Sequence, residues 1–153
     1  MSIPVDGPPV GSPSLPRPQD LLPHRAPFLL LSEVVSLEPG VRAHCRWRLT
    51  GDEYFWPGHF PGRPTLPGVL MLESIAQAGA LVVLADPRFA TKIPLFGGAD
   101  GVRFRRQVVP GDVLELEVEM GRMSARAGKG KGRAHVNGET ACEGDLLLIL
   151  ADR

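Results

Sequence analysis

A histidine and a glutamate, His59 and Glu73, are the side chains of this sequence best suited to acid–base chemistry. Glu73 lies in a segment, residues 68 to 85, that is otherwise almost entirely apolar. Because burial disfavours an ionised carboxylate, a glutamate in such a segment has a raised pKa, which is what a general acid near neutral pH requires. The alternative is a structural glutamate that faces a solvent channel or pairs with an arginine.

His59 lies in a loop whose backbone is stiffened by Gly58, Pro61, Gly62 and Pro64. A neutral imidazole is a suitable base for a proton next to a carbonyl group, because histidine changes its charge near physiological pH. A lone histidine is more often structural than catalytic, so this role depends on the acid that the next segment offers.

The segment from 68 to about 85 predicts a helix. Pro67 suits its first turn, where a missing N–H costs nothing. Apart from Glu73, Ser74 and Gln77 the helix is apolar on every side, so it must be covered all round. With a glutamate and a glutamine inside it, a buried core helix is favoured over a membrane span.

Two other residues of this helix have both a functional and a structural interpretation. Gly68 begins the helix, where unpaired N–H groups at the positive end of the dipole could polarise a carbonyl oxygen; an ordinary helix start would look the same. Gln77 lies one turn after Glu73 on the same face. It either orients that carboxyl group or satisfies a buried backbone group.

Strand-like segments flank the helix on both sides. Residues 41 to 49 alternate between apolar and polar side chains, which indicates an antiparallel strand with one face in water. We expect two strands before the helix and about four after it, including residues 29 to 37, 102 to 109 and 113 to 120. The predicted fold class is α+β, with one antiparallel sheet wrapped around one helix. Such a sheet leaves part of the helix uncovered, which favours a dimer.

Composition restricts the classes of partner and compartment. The 153 residues suit one domain, and 17 basic residues balance 17 acidic ones, so the net charge does not attract nucleic acid or an anionic membrane.

Cys45 and Cys142 lie apart from each other and from any metal-binding pattern, which predicts reduced, buried thiols in a cytoplasmic protein and no metal site. We see no signal peptide, and we expect a proline-rich flexible tail at 1–18 before a domain at 19–153.

The other histidines have plainer interpretations. His44 and His135 fall on polar strand faces, where we expect them to be solvated. His24 follows a proline near the start of the ordered region and is expected to be structural.

Three blocks, "LLPHRAPFLLLSEVV", "GHFPGRPTLPGVLMLESIAQAG" and "VRFRRQVVPGDVLELEVE", resemble the FabZ-type β-hydroxyacyl-acyl-carrier-protein dehydratases of fatty acid synthesis. The central block matches every fixed position of that family's GHFPGxPxxPGVLxxExxAQ pattern. The resemblance implies a hot-dog fold, with the sheet wrapped around the 68 to 85 helix. It also implies an enzyme that converts a (3R)-3-hydroxyacyl thioester to the trans-2-enoyl thioester, in fatty acid or related secondary-metabolite biosynthesis.

The resemblance further implies a role for each site residue. His59 would remove the C2 proton, and Glu73 would protonate the departing C3 hydroxyl. The N–H of Gly68 would hold the thioester carbonyl, with Phe60 and Gln77 also at the substrate. Similar enzymes often hold the bond between the histidine and the phenylalanine in cis, so we expect a cis peptide at His59–Phe60.

Partners are implied in the same way. Homodimers would place His59 of one subunit beside Glu73 of the other, and three dimers could form a hexamer. No metal or organic cofactor would be needed, because the substrate arrives on the phosphopantetheine arm of acidic acyl carrier protein. Arg103, Arg105 and Arg106 are candidate docking residues, although a solvated strand face explains them equally well.

Some features leave alternatives open. The related FabA-type enzymes, which also isomerise the double bond, usually carry aspartate in place of Glu73. The segment "KIPLFGGADG" lacks a tyrosine that often gates the tunnel in this family, so acyl length stays open. A hot-dog thioesterase would need a differently placed acid and usually lacks the GHFPG loop. A non-catalytic acyl-binding subunit tends to lose the acid or the base, and both are present here.

Overall fold

A computed structural model describes residues 14–153 of the chain. The predicted tail at 1–18 lies mostly outside the described residues. The helices are α1 (Pro18–Leu21) and α2 (Gly68–Leu84). The strands are β1 (Glu33–Glu38), β2 (Arg42–Arg48), β3 (Lys92–Phe104), β4 (Val113–Met123), β5 (Ala127–Val136) and β6 (Glu139–Asp152).

The six strands form one antiparallel sheet in the order β1-β2-β4-β5-β6-β3. Helix α2 follows β2 in the chain and packs against β2, β3, β4, β5 and β6. One sheet wrapped around one long helix is the hot-dog arrangement, so the predicted fold class is confirmed.

The burial of α2 is uneven along its length. Every residue from 74 to 84 is buried, whereas residues 68–70 are at least partly exposed and Val69 is 72% exposed. The helix is therefore covered on all sides for its last three turns, as its apolar sequence requires. Only its N-terminal end reaches the surface, and Glu73 lies where the covering begins.

Strands β2 and β4 show why the sheet covers the helix. Their inward side chains are apolar and buried, among them Ala43, Cys45, Trp47, Leu114 and Leu116. Their outward side chains are charged and pair across the strands, as Arg46 does with Glu115 at 2.8 Å. The period-two alternation of the sequence thus separates core from water.

Two histidines on the outer face of the sheet correct our expectation of solvated side chains. His44 pairs with Glu115 through Nε2, and His135 Nε2 lies 3.0 Å from Glu117 Oε2. Both imidazoles are mostly covered. Cross-strand neighbours lie close enough for such pairs, and the sequence of one strand does not show which partner strand will supply the carboxylate.

Strand β3 differs most from prediction. It spans Lys92–Phe104, whereas the sequence predicted a strand over 102 to 109. Register shifts between Phe96 and Gly98 and between Asp100 and Arg103 break the alternation that would mark the strand. Pro94 is tolerated because β3 is an edge strand.

The two cysteines are free and buried, as expected. Burial raises the pKa of the Cys45 thiol to about 12 and that of Cys142 to about 11. Such thiols stay protonated and unreactive near neutral pH. Within residues 14–153, no helix has both the length and the apolar character needed to cross a membrane.

Two glycines at the interface between α2 and the sheet generate a stability prediction. A Cβ at Gly132 in β5 would overlap the buried Cγ2 methyl of Ile75, whereas a Cβ at Gly79 in α2 would meet its neighbours at an ordinary 3.5 Å. We expect Gly132→Ala to destabilise the fold by about 1–3 kcal/mol through overpacking. Gly79→Ala is the matched control and should be neutral or stabilising, because alanine favours helix.

Urea unfolding of both variants measures these changes in the free energy of unfolding. A Gly132→Ala protein as stable as wild type would show that α2 and β5 can move apart without loss of stability. The contact between Gly132 and Ile75 would then not be a tight one.

Candidate active site

Glu73 lies one and a half turns into α2, with 19% of its side chain exposed. Gln77 Nε2 donates a hydrogen bond to Glu73 Oε1 at 3.2 Å. His24 Nε2 lies 3.9 Å from the same oxygen. Among the described residues Glu73 forms no ion pair with an arginine, so the arginine partner of the structural alternative is absent there.

The environment of Glu73 favours its protonated form. Burial raises the pKa of the carboxyl group, and the hydrogen bond from Gln77 opposes that shift only in part. An acid with a raised pKa keeps its proton closer to neutral pH. The site therefore contains a carboxyl group that can donate a proton.

Gln77 connects Glu73 to the chain segment before β1. Its side chain is 1% exposed. Its amide oxygen accepts from the N–H of Leu30 at 3.0 Å, and its amide nitrogen donates to the carbonyl of Phe28 at 2.8 Å as well as to Glu73. Both interpretations of Gln77 are therefore correct: it satisfies buried backbone groups and it also orients the carboxyl group.

The loop before α2 determines which nitrogen of His59 can act as a base. His59 Nδ1 lies 2.7 Å from the carbonyl oxygen of Thr65. Because a carbonyl only accepts, a neutral His59 carries its proton on Nδ1 and leaves the lone pair on Nε2. The N–H of Thr65 donates back to the carbonyl of His59 at 2.8 Å, which holds the two residues together.

The peptide bond between His59 and Phe60 is cis, as expected. The two rings are stacked, with their centroids 4.0 Å apart. Phe60 and Arg63 exchange backbone hydrogen bonds of 2.9 and 3.0 Å. Phe60 itself is 53% exposed, so it presents an apolar surface next to the base.

Gly68 begins α2 beneath the ring of Phe104. A Cβ at position 68 would lie 3.0–3.2 Å from three atoms of that ring, so a larger residue would displace Phe104. Within residues 14–153 the N–H of Gly68 donates no hydrogen bond to another backbone group outside the helix. It is therefore available to an outside acceptor, as the interpretation of Gly68 as a carbonyl-binding residue requires.

The structure thus brings the sequence-predicted residues into two groups. Glu73 and Gln77 lie together with His24, and His59 and Phe60 lie together with Thr65. Within the described part of one chain no hydrogen bond or ion pair joins His59 to Glu73. The candidate base and the candidate acid therefore lie on separate elements, His59 in the loop before α2 and Glu73 within the helix.

The three candidate docking arginines differ in their surroundings. Arg105 pairs with Glu143 at 2.8 Å, and Arg106 lies 3.6 Å from Glu139 and 3.9 Å from Asp112. Arg103 forms no ion pair among the described residues and donates only to the carbonyl of Val102. Arg103 therefore carries the most available charge of the three.

The position of His24, 3.9 Å from Glu73, is not one that the sequence predicted. His24 is separated from Glu73 by a loop, two strands and a turn, so neither spacing nor periodicity connects them. The only available signal is its position in "LLPHRAPFLLLSEVV", one of the blocks that carry the family resemblance.

A protein-family model described as the FabA-like domain matches residues 22–145. This match includes His24, His59, Glu73 and Gln77. Among solved structures, the dehydratase heterocomplex ApeI:P from Xenorhabdus doucetiae has a TM-score of 0.77 at 22% identity, over 92% of this chain and 94% of that chain. A hypothetical thioesterase with coenzyme A from Streptococcus pneumoniae has a TM-score of 0.59 at 10% identity, over 79% of this chain and 86% of that chain. At these identities the two structures show the fold alone.

Sequence relatives are much more similar. The 3-hydroxyacyl-[acyl-carrier-protein] dehydratase FabZ of Moorella thermoacetica is 51% identical over 88% of this chain and 94% of its own length. The protein of the same name from Symbiobacterium thermophilum is 50% identical over 87% of this chain and 94% of its length. The chain belongs to the FabA-like family and, within it, to the FabZ-type branch.

Proposed function

We propose that this protein dehydrates (3R)-3-hydroxyacyl chains carried by acyl carrier protein to trans-2-enoyl chains in fatty acid biosynthesis. The observation that carries this function is the position of Glu73, which is only 19% exposed and has a pKa raised by burial, combined with a His59 whose Nε2 makes no hydrogen bond within residues 14–153. Removing water from C2 and C3 of a thioester needs one group of each kind.

The mechanism follows from the protonation states. His59 Nε2 removes the proton from C2, and the N–H of Gly68 stabilises the negative charge that develops on the thioester oxygen. Glu73 donates its proton to the C3 hydroxyl, which leaves as water while the double bond forms. His59 ends with the C2 proton and Glu73 ends as a carboxylate, so transfer of one proton restores both groups.

The reaction as proposed involves only these side chains, the backbone amide and the carrier-bound substrate. It requires no metal and no organic cofactor. Arg103 is the strongest candidate for contact with the acidic carrier protein, because Arg105 and Arg106 already lie beside carboxylates of their own chain. We place the enzyme in the cytoplasm, where the buried thiols Cys45 and Cys142 suit a reducing environment.

We propose that the active site is shared between two chains. The edge strand β3 presents exposed Leu95, Phe96 and Phe104 and an unpaired backbone edge, which favours pairing with a second copy. A dimer of this kind would let His59 of one subunit face Glu73 of the other, and three such dimers would form a hexamer.

A thioesterase is the second candidate, because one neighbour in fold is a hypothetical thioesterase. Attack of water on the thioester carbonyl would release a free thiol, whereas dehydration and its reverse leave the thioester intact. Both activities are measurable on the same crotonyl thioester, by loss of the double bond and by appearance of thiol.

The first functional prediction concerns the acid and the base. We expect Glu73→Gln and His59→Ala to fold and to lower the hydration of crotonyl thioester by at least about a hundredfold each, because general acid–base groups contribute about 10²–10⁴-fold. The double variant should lose far less than the product of the single losses. Glu117→Gln, on the outer face of the sheet, is the matched control and should keep wild-type turnover.

Steady-state rates, with circular dichroism as the folding control, decide the outcome. A folded Glu73→Gln enzyme with near wild-type turnover would show that Glu73 is not the acid. Thiol release exceeding hydration in the wild type would favour the thioesterase instead.

The second prediction tests the sharing of sites. We expect inactive His59→Ala and Glu73→Gln proteins to recover activity when they are unfolded together and refolded. A mixed dimer would contain one site with both wild-type residues. Random assortment into two-fold dimers predicts about a quarter of wild-type activity. No recovery in a mixture shown by native mass spectrometry to contain mixed dimers would place both residues of each site in one chain.

The third prediction concerns stability and pH. Folding raises the pKa of Glu73 above its ordinary value of 4.5, so the folded state holds this proton more tightly than the unfolded state does. Stability is therefore lost as pH rises from about 4.5 through the raised value. Glu73→Gln cannot lose a proton, so its Tm should exceed that of wild type by a margin that widens between about pH 4 and pH 8. Thermal scans across that range measure the margin, and a constant or shrinking margin would contradict the raised pKa.

A further inference from the structure

A second histidine lies beside the acid and has no part in the mechanism above. His24 is held in place by its neighbour: Arg25 Nη1 donates to the carbonyl of Leu22 at 2.8 Å and to that of His24 at 2.6 Å. The side chain of His24, like that of Glu73, is 19% exposed, and its Nε2 lies 3.9 Å from Glu73 Oε1.

The surroundings of His24 disfavour its charged form. Its Nδ1 is buried and has no hydrogen-bond partner within the described residues. An imidazolium would place an unpaired N–H donor there, which carries a desolvation penalty, whereas a neutral ring with its proton on Nε2 leaves only a lone pair at that point. Burial, together with the nearby charge of Arg25, lowers the pKa of His24 in agreement with this geometry. His24 therefore presents an N–H group to Glu73 without a positive charge.

The two oxygens of Glu73 are consequently not equivalent. Oε1 accepts from Gln77 at 3.2 Å and faces the N–H of His24, whereas Oε2 makes no hydrogen bond within residues 14–153. The 3.9 Å separation is too long for a hydrogen bond, but catalytic hydrogen bonds are often long without substrate and tighten when it binds. A proton on Oε1 would point toward two N–H donors, those of Gln77 and His24, which is unfavourable. The acidic proton therefore belongs on Oε2.

We propose that His24 is a positioning residue that acts through Glu73, keeping the transferable proton on Oε2, the oxygen open to the substrate hydroxyl. This inference rests on the proposed function, because it concerns the acid of that reaction. The charged and titratable groups around the pair are Arg25, next to His24 in the chain, and, in the proposed dimer, His59 of the second subunit. No other ion pair within the described residues includes His24 or Glu73.

Substitutions at His24 separate this role from packing. We expect His24→Ala to lower kcat about ten- to a hundredfold, as misplacement of a catalytic group does, while KM changes little. His24→Gln keeps a neutral donor and should stay within about threefold of wild type. A donor to a carboxylate lowers its pKa, so losing it in His24→Ala should move the alkaline limb of the kcat profile to higher pH.

Two further comparisons make the test specific. In the Glu73→Gln background, His24→Ala should cause no further loss, because the group through which it acts is already gone. His135 is the matched control: its Nε2 also faces a carboxylate and its Nδ1 is also buried without a partner, but it lies on the outer face of the sheet. His135→Ala should leave kcat and its pH profile unchanged. His24→Leu fills the same space without a donor and should behave as His24→Ala, which keeps the test decisive if alanine unfolds the chain.

Wild-type kcat and an unshifted alkaline limb in His24→Ala or His24→Leu would overturn the proposal. So would equal losses in His24→Gln and His24→Ala, because a purely structural role predicts them. Failure of the proposed function is distinguishable, since the wild-type protein would then not hydrate crotonyl thioester at all.

Discussion

The constraint on which this structure depends is the apolar character of α2. A helix with no polar face has to be shielded on every side, and five strands of the sheet do this, with every residue from 74 to 84 buried. Each fully buried leucine, isoleucine or valine contributes about 1.5–3 kcal/mol. Close approach of the sheet requires small residues on its inner face, which explains why Gly132 lies against Ile75.

The point along α2 at which this shielding begins determines the surroundings of Glu73. Residues 68–70 of α2 are at least partly exposed, Val69 to 72%, and the N–H of Gly68 donates no backbone hydrogen bond outside the helix within residues 14–153. Glu73 lies at the boundary, where burial is enough to raise the pKa of its carboxyl group yet the side chain still reaches the site. A glutamate one turn later would be fully enclosed, and one turn earlier it would be hydrated and ionised near neutral pH.

Within residues 14–153, Glu73 accepts from a glutamine and faces a histidine rather than an arginine or a lysine. Gln77 holds Glu73 from within the helix and ties it to the backbone at Phe28 and Leu30. His24 faces the same oxygen, and its Nδ1 has no partner within residues 14–153. An arginine in either position would lower the pKa of Glu73 and make it unsuited to the role of acid that we propose. Polar neutral residues can orient the carboxyl group and leave its proton in place.

Local pattern was enough to predict the helix over 68 to 85, the exposed and buried faces of β2 and the buried thiols, because these depend on neighbours in the chain. The resemblance of three blocks supplied the hot-dog fold and the cis bond at His59–Phe60. The extent of β3, the carboxylate partners of His44 and His135, and the place of His24 beside Glu73 were decided by tertiary structure. Each depends on which segments meet across the sheet or on α2, and contacts between residues far apart in sequence leave no periodic signal in either segment.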